Sequence, residues 1–550
     1  MMRRDRVTLA VVAFATLIGL GIRLAVVATS PFPLNDGGLF YAMISDLVSN
    51  RLALPAFSSY NAVAVPFAYP PLGLYFYAIL SLITRLPLLQ LVQYGPPILS
   101  AASIPAFYIL AEAIIKSKPQ AALATLIFAL LPRAFDWLIM GGGVTRTFGM
   151  LFALLAMRQA FLVFSARSYR ALILLIIFGS LVAYAHPEAA THTVVTAVLF
   201  YLFQDRSRRG LIAGLLAAGG VLLLTAPWSG LVVARHGLDP FLAAAAAARQ
   251  DSYSALVGLL ALFRFDFADE PFVTLLTVLG LIGMAIQLAR RQYLLPLWLL
   301  AMHSVEPRGG TLFMSIPLAI FGGIALDVMI LPALRGNGRA SNPGTSPQPD
   351  SSLNWLEAAL RGTAARLAVG FVIVYGMMSA FATGWRIRQE FTLGSTDLQA
   401  MTWVRANTAA DAKFAIITGG LPLRDATSEW FPTMTGRESM ATVFGYEWIR
   451  GVDFGARLEL YQSLQACATQ GTACLENWSR NQGIAFQYVY LRVPGGPDAV
   501  PLGVLLDAST NYETIYAAQG LKIYRWKDAG LALALTVDSK HHIDYERHKE

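Results

Sequence analysis

Apolar runs of about 15–22 residues alternate with short polar loops over the first 384 residues, the pattern of helices that cross a bilayer. The runs lie near 7–29, 95–115, 120–133, 148–166, 170–185, 190–204, 211–226, 271–289, 292–304, 311–331 and 366–384, so about eleven spans are expected. After the first run the period shortens. Leu39, Phe40, Met43, Ile44, Leu47 and Val48 recur at helical spacing while Ser45, Asp46 and Ser49 fall elsewhere, which predicts an amphipathic helix lying on the membrane surface. Asn35 or Asp36 stands where its N-cap belongs. Tyr69–Ile83, opened by Tyr69-Pro70-Pro71-Leu72 and closed before Arg85, reads as a half-buried helix of the first outer loop and not as a span.

From about Trp385 the pattern becomes that of a soluble domain. Asp397–Asn407 and Phe454–Ala468 have helical periodicity, whereas Lys413–Thr418, Ile484–Val493, Glu513–Ala518 and Leu521–Trp526 read as strands rich in Tyr, Val and Ile. The expected fold is an all-α polytopic membrane bundle with a C-terminal α/β domain. Residues 1–334 form the core, with juxtamembrane helices at 37–86. Residues 335–365 form a Gly/Ser/Asn/Pro linker, 366–384 a last span, and 385–550 the soluble domain, whose tip His541–Glu550 is charged. No internal repeat is evident, which weighs against repeat-built transporter folds.

Composition agrees: 56% hydrophobic against 14% charged residues excludes a soluble enzyme with one anchor. The net charge of +8 is uneven, with 26 Lys/Arg against 16 Asp/Glu in residues 1–384 and 16 against 18 beyond. The basic loops at Arg3/Arg4/Arg6, Lys116/Lys118, Arg167/Arg170, Arg206/Arg208/Arg209, Arg290/Arg291 and Arg335/Arg339/Arg361/Arg366 fall on one side, which the positive-inside rule makes the cytoplasm. The N-terminus is then cytoplasmic and the C-terminal domain outside, and the basic excess needs no nucleic acid to explain it. The first run is longer than a cleavable signal and reads as a permanent helix. Cys467 and Cys474 suit a small-loop disulfide if that domain is exported, and free thiols if it is not; their spacing does not suit zinc.

This topology gathers polar residues on the outer face. Gly141-Gly142-Gly143 allows close backbone approach, and its N–H groups can form an anion nest beside Arg146, which can clamp a phosphate; the alternative is an arginine on a lipid headgroup. His186-Pro187-Glu188 and His192 offer a divalent-cation set, although Pro187 interrupts the helix and a satisfied polar helix end is the simpler reading. Pro227-Trp228, Arg235-His236-Gly237 and Asp239-Pro240 make another outer loop, and Glu306-Pro307-Arg308-Gly309-Gly310 puts a second cation beside glycines. Burying arginines and a carboxylate at membrane depth is costly, so they suggest a polar ligand in a cavity: a phosphate for the cations, carrying a lipid for the apolar walls. A sugar on that phosphate would leave with Arg stabilisation, and a base for the acceptor hydroxyl would remain to be supplied. Asp36 is in the place for it, if it is not merely a cap.

This order of features resembles the lipid-linked-sugar glycosyltransferases of the GT-C superfamily, such as protein O-mannosyltransferases, aminoarabinose transferases and oligosaccharyltransferases. The matching features are an acid after the first helix, the Tyr69-Pro70-Pro71-Leu72 segment, and a C-terminal domain containing Ala400–Thr408 and Glu429–Arg437. The resemblance implies a glycosyltransferase in the cytoplasmic membrane of a prokaryote. It would move a sugar from a polyprenyl-phosphate donor to a protein, lipid or glycan acceptor at the extracytoplasmic face. Asp36 would be the base, Arg146, Arg308, Gly142 and Gly143 would bind the donor phosphate, and Asn35, Tyr69, His186, Glu188 and Glu306 would line the pocket, while the C-terminal domain would help to select the acceptor, with Glu429–Arg437 near the cavity mouth. Such enzymes usually carry paired acids where this chain has Asn35-Asp36, which puts metal dependence in question; a Mg or Mn ion would draw on Asp36, Asp136, Glu188 or His192. A transporter or flippase of a lipid-linked or anionic solute is the rival reading, but it accounts less well for the exported domain.

Overall fold

A computed structural model of the chain describes residues 2–250, 268–305, 307–334 and 362–527. Most of the linker expected at 335–365, the charged tip and Glu306 lie outside the described residues, as do the side chain of Arg308 and the arginines at 335, 339 and 361. This is a multi-pass membrane protein. Among the described residues six helices are long and apolar enough to cross a bilayer: Val7–Ala28, Leu88–Ile115, Gly143–Ala166, Arg208–His236, Gly310–Ala333 and the run Thr363–Asn407. A seventh span is possible if Lys118–Leu130 and Pro132–Leu138, bent by 87° at their junction, count as one. The spans expected near 170–185, 190–204, 271–289 and 292–304 are present as the helices Tyr169–Ala185, Pro187–Gln204, Leu275–Ala289 and Leu294–Val305, of 17, 18, 15 and 12 residues. At 1.5 Å per residue the first two stand at the lower limit for a span and the last two are shorter than a straight span of the hydrocarbon layer requires.

The bend at Pro132 brings the glycine-rich loop to the segment that follows the first helix. Proline ends the preceding helix, and two short helical turns at 132–138 fold the chain back so that Gly141 re-enters beneath that segment. A wholly buried arginine anchors the corner. Arg23, in the first helix, donates through Nε to Ser100 Oγ (3.1 Å) and through Nη1 to the carbonyls of Gly19 and Ala129, and its guanidinium lies over the Phe135 ring.

The amphipathic pattern at 39–50 becomes the helix Gly38–Ser49, with Leu39, Met43, Ile44 and Leu47 buried. The half-buried helix of the first loop is Leu72–Thr84, starting directly after Pro70-Pro71. A two-residue antiparallel ladder, β1 (Phe57–Ser58) with β2 (Val65–Pro66), closes the segment between them.

Beyond the last long helix stands a five-stranded sheet of order β4-β3-β5-β7-β6. Its strands are β3 (Lys413–Ile417), β4 (Glu438–Ser439), β5 (Tyr488–Leu491), β6 (Tyr512–Ala518) and β7 (Leu521–Trp526). β3 runs parallel to β4 and β5, and the β6–β7 hairpin joins antiparallel. The alternation read from the sequence sorts the two faces. Ala415, Ile417, Val489 and Leu491 face a core shared with the helices Phe454–Gln470 and Thr472–Gln482, which the Cys467–Cys474 disulfide ties together. Phe414, Ile416, Tyr490 and Ile523 face the other way, into a core continuous with Phe32, Phe40, Met43, Tyr60 and Val65 of the segment after the first helix. The soluble part therefore shares one hydrophobic core with the loop that carries Asp36.

Candidate active site

Two segments meet back to back at Asp36. Asn35 adopts a left-handed backbone (φ 52°) and Gly37 has φ 124°, so the chain makes a sharp corner that exposes both sides of Asp36 to other elements. Gly141 N–H donates to the Leu34 carbonyl at 2.9 Å. The approach is so close that a Cβ on Gly141 would lie 1.9 Å from the Asp36 carbonyl oxygen, and one on Gly142 2.6 Å from Asp36 Oδ2. Glycine is required at these places by contact distance.

Asp36 does not cap its helix: the N-cap is Gly37, with no side-chain bond. The carboxylate turns instead to the Gly142 N–H, which donates to Oδ1 at 2.9 Å, and to Arg146, whose Nη2 donates to Oδ2 at 2.5 Å. Asp36 is 6% exposed, so this is a charge-assisted bond within a poorly solvated site. Arg146, one turn into the helix Gly143–Ala166, also lies 5.2 Å over the Trp137 ring.

The expected anion nest is corrected by these bonds. The Gly142 N–H serves Asp36 and the Gly143 N–H serves the Met140 carbonyl at 2.8 Å, so these amides are engaged within the protein. Asn35 is likewise turned away, its Nδ2 directed at Met140 Sδ.

Beside the ion pair opens a cavity of about 800 Å³. Asp36, Arg146, Tyr69, His186 and Glu188 line it together, with Trp137, Trp228 and Phe313 as apolar wall. Tyr69 is fixed by edge contacts with Phe40, His186 and Trp448, and its hydroxyl lies 3.4 Å from Thr145 Oγ1. Burial pushes its phenol up to about 12, so it stays protonated at any physiological pH.

The cation-ligand candidates do not converge. Asp136 pairs with Arg133 at 3.1 Å and accepts the Trp137 N–H, and His192 is buried with its ring 4.3 Å from that of Phe313. Among the described residues no three His, Cys, Asp or Glu side chains gather at metal-ligand spacing. Asp36, moreover, already has a donor on each oxygen. The described side chains among these candidates do not form a ready site for Mg or Mn.

The Glu429–Arg437 segment begins within the helix Ala426–Thr435, and it makes contacts with the corner at 35–38 that no sequence pattern indicates. Trp430 Nε1 donates to the Asn35 carbonyl (2.9 Å), and Thr433 Oγ1 donates to the Gly38 carbonyl (2.9 Å). Glu429 Oε1 accepts the Gly37 N–H at 2.9 Å, and Tyr60 OH donates to the Glu429 carbonyl at 2.7 Å. Trp430 also meets the Phe32 ring edge-on, with centroids 4.7 Å apart. The corner at 35–38 is thus held by Glu429–Thr433 as well as by Gly141–Arg146. Glu429 itself lines the cavity, 2% exposed, with Oε2 lacking any hydrogen-bond partner. Burial, and then the neighbouring Asp36 carboxylate, push its carboxyl well above the usual range.

Comparison with solved structures identifies the architecture. Archaeal oligosaccharyltransferase AglB from Archaeoglobus fulgidus, in complex with an inhibitory peptide and a dolichol-phosphate, superposes with a TM-score of 0.55 over 94% of this chain and 74% of its own, at 15% identity. ArnT from Cupriavidus metallidurans, bound to undecaprenyl phosphate, gives 0.54 over 94% of this chain and 97% of its own, at 14% identity. The chain has the GT-C fold. The arabinofuranosyltransferase AftD from mycobacteria shares it (TM-score 0.51, 16% identity), with this chain matching 40% of that much longer protein. At these identities the likeness is one of GT-C architecture. No protein-family model and no curated protein sequence matches the chain.

Proposed function

We propose that this GT-C protein transfers a sugar from a polyprenyl-phosphate carrier to an acceptor hydroxyl at the extracytoplasmic face of a prokaryotic cytoplasmic membrane. The observation that carries the reading is the Asp36–Arg146 pair on the wall of an apolar cavity bounded by both membrane helices and the soluble domain. The lipid phosphates held by AglB and ArnT in their structures support the donor class. The Cys467–Cys474 disulfide supports an oxidising compartment for the C-terminal domain, and an odd number of spans would then leave the N-terminus in the cytoplasm.

In this reading Arg146 spends Nη2 on Asp36 and has other donors left for a phosphate oxygen. A phosphate beside it weakens the hold on Asp36 Oδ2 and restores that oxygen as a base. The acceptor hydroxyl attacks the anomeric carbon while its proton passes to Asp36. The bond from the anomeric carbon to phosphate oxygen breaks, and the lipid phosphate leaves with the electron pair, stabilised by Arg146. One displacement inverts the anomeric centre. Tyr69, His186 and Glu188 line the sugar's space, and Arg308 is a second candidate for the phosphate. The acceptor is a protein, lipid or glycan hydroxyl.

The test uses detergent-solubilised full-length protein, an undecaprenyl-phosphate-linked sugar and an envelope fraction as acceptor. Release of undecaprenyl phosphate with labelling of the fraction is expected. A carrier needs two compartments, so absence of release in detergent, alongside transport in sealed vesicles, would replace this reading with the transporter.

A further inference from the structure

The soluble domain contributes to this cavity an acid for which the mechanism above has no use. Glu429 is almost wholly buried, one of its oxygens accepts the Gly37 N–H, and the other has no partner although it belongs to a residue on the cavity wall; the nearby Leu39 N–H favours the ionised form, but by less than burial and Asp36 oppose it. Of the charged groups facing it, Asp36 repels a second negative charge and Arg146 is already bonded to Asp36. Tyr60, on the other side, gives its proton to the Glu429 backbone carbonyl and not to the carboxyl. Across the cavity stand Tyr69, His186, Glu188 and Glu447. An ionised carboxylate with one oxygen unsatisfied in such a place is far costlier than a neutral acid, which needs only an acceptor for its O–H.

Resting on the polyprenyl-phosphate reading, we propose that Glu429 is kept as a neutral carboxylic acid whose Oε2–H donates a hydrogen bond to a phosphate oxygen of the lipid carrier. Oε1 stays on the Gly37 N–H, so the same side chain fixes the corner that bears Asp36 and presents a donor to the ligand. Asp36 and Glu429 then hold one proton between them. The ionised member faces the guanidinium, and the neutral member faces the phosphate. The ligand class this selects is an oxyanion, completed on one side by Arg146 and on the other by an acid proton.

Glutamine is the discriminating replacement, because its amide keeps an acceptor for Gly37 and supplies an N–H donor in place of the O–H. Glu429→Gln is expected to bind undecaprenyl phosphate within about threefold of the wild type, whereas Glu429→Ala is expected to bind about ten- to a hundredfold more weakly. The infrared difference between wild type and Glu429→Gln at neutral pH should contain the carbonyl stretch of a neutral carboxylic acid, and adding undecaprenyl phosphate to the wild type should shift that band. Equal weakening by Gln and Ala, or absence of the band, would overturn the assignment of Glu429 while leaving the lipid-phosphate reading standing. Failure of the folded wild type to bind undecaprenyl phosphate at any pH would remove that broader reading, and this one with it.

Discussion

Gly141→Ala is the sharpest probe of whether the corner at Asp36 must be held where it is. The added Cβ would fall 1.9 Å from the Asp36 carbonyl oxygen, 3.0 Å from the Asp36 carbonyl carbon and 3.2 Å from Gly37 Cα. Ordinary contact begins at 3.4 Å, so the two backbones must separate by roughly 1.5 Å, and no flexible side-chain end is there to yield. A displacement on the order of 1 Å in a catalytic group costs around 10²-fold in rate, and overpacking of this kind about 1–3 kcal/mol in stability. The comparison is Gly219→Ala, in the helix Arg208–His236, whose Cβ meets nothing within 4 Å and gains helix propensity of about 1 kcal/mol. Turnover of the lipid-linked sugar and thermal unfolding in the same detergent are measured for both. Gly141→Ala should lose about a hundredfold in turnover and unfold earlier, while Gly219→Ala should match or slightly exceed the wild type. Wild-type turnover in Gly141→Ala, with Asp36 still indispensable, would refute the claim that this contact sets the position of the carboxylate.

Asp36→Asn, nearly isosteric, should lower kcat by about 10²–10⁴-fold and leave undecaprenyl-phosphate affinity equal or tighter, since Arg146 is released; near-normal turnover would remove the proposed base. Trp430→Phe keeps the ring against Phe32 but orphans the buried Asn35 carbonyl, so it should cost about 1–3 kcal/mol in unfolding and reduce turnover without changing the soluble domain's circular dichroism. Opening the Cys467–Cys474 link by Cys→Ser at both positions should cost on the order of 2 kcal/mol, visible as an earlier melt that reducing agent no longer affects. Because the Glu429 carboxyl is raised in the folded state, the folded chain holds more protons than the unfolded one above about pH 4.3, and stability from this group falls as pH rises towards the folded value. Glu429→Gln should flatten that part of the melting-temperature profile; an unchanged slope would mean that Glu429 does not supply it.

The sequence foreshadows these elements unevenly, for physical reasons. Hydrophobic periodicity reports on one element at a time. It therefore finds the helix at 38–49, the helix after Pro70-Pro71, and the strands at 413–417 and 521–526 to within three residues. It finds apolar helices at 169–185, 187–204, 275–289 and 294–305 as well, but not whether each is long enough to cross alone. Residue chemistry proposes Asp36, Tyr69, Arg146, His186 and Glu188, and these five do line one cavity. It errs where a backbone group has two possible customers. The amides of Gly142 and Gly143 look free in the sequence, yet Asp36 and the Met140 carbonyl take them.

What periodicity cannot reach is a contact such as Glu429 to Gly37, separated by 392 positions. In the sequence the C-terminal domain is an appendage with its own strands and helices, suited to choosing an acceptor. In the folded chain, Phe414, Tyr490, Trp430 and Phe431 share a core with Phe32, Phe40 and Tyr60, so separating the domain would expose both halves of that core. It would also strip the corner at 35–38 of the three hydrogen bonds from Glu429, Trp430 and Thr433. An N-terminal half expressed alone would then retain Asp36 and Arg146 in sequence but lose the left-handed turn at Asn35 that aims the carboxylate. The conformation of the acid is decided jointly by the membrane helices, through Gly141–Arg146, and by the soluble domain, through Glu429–Thr433. Under the proposed transfer reaction, that joint control gives a physical route by which an acceptor docking on the C-terminal segment would reach Asp36.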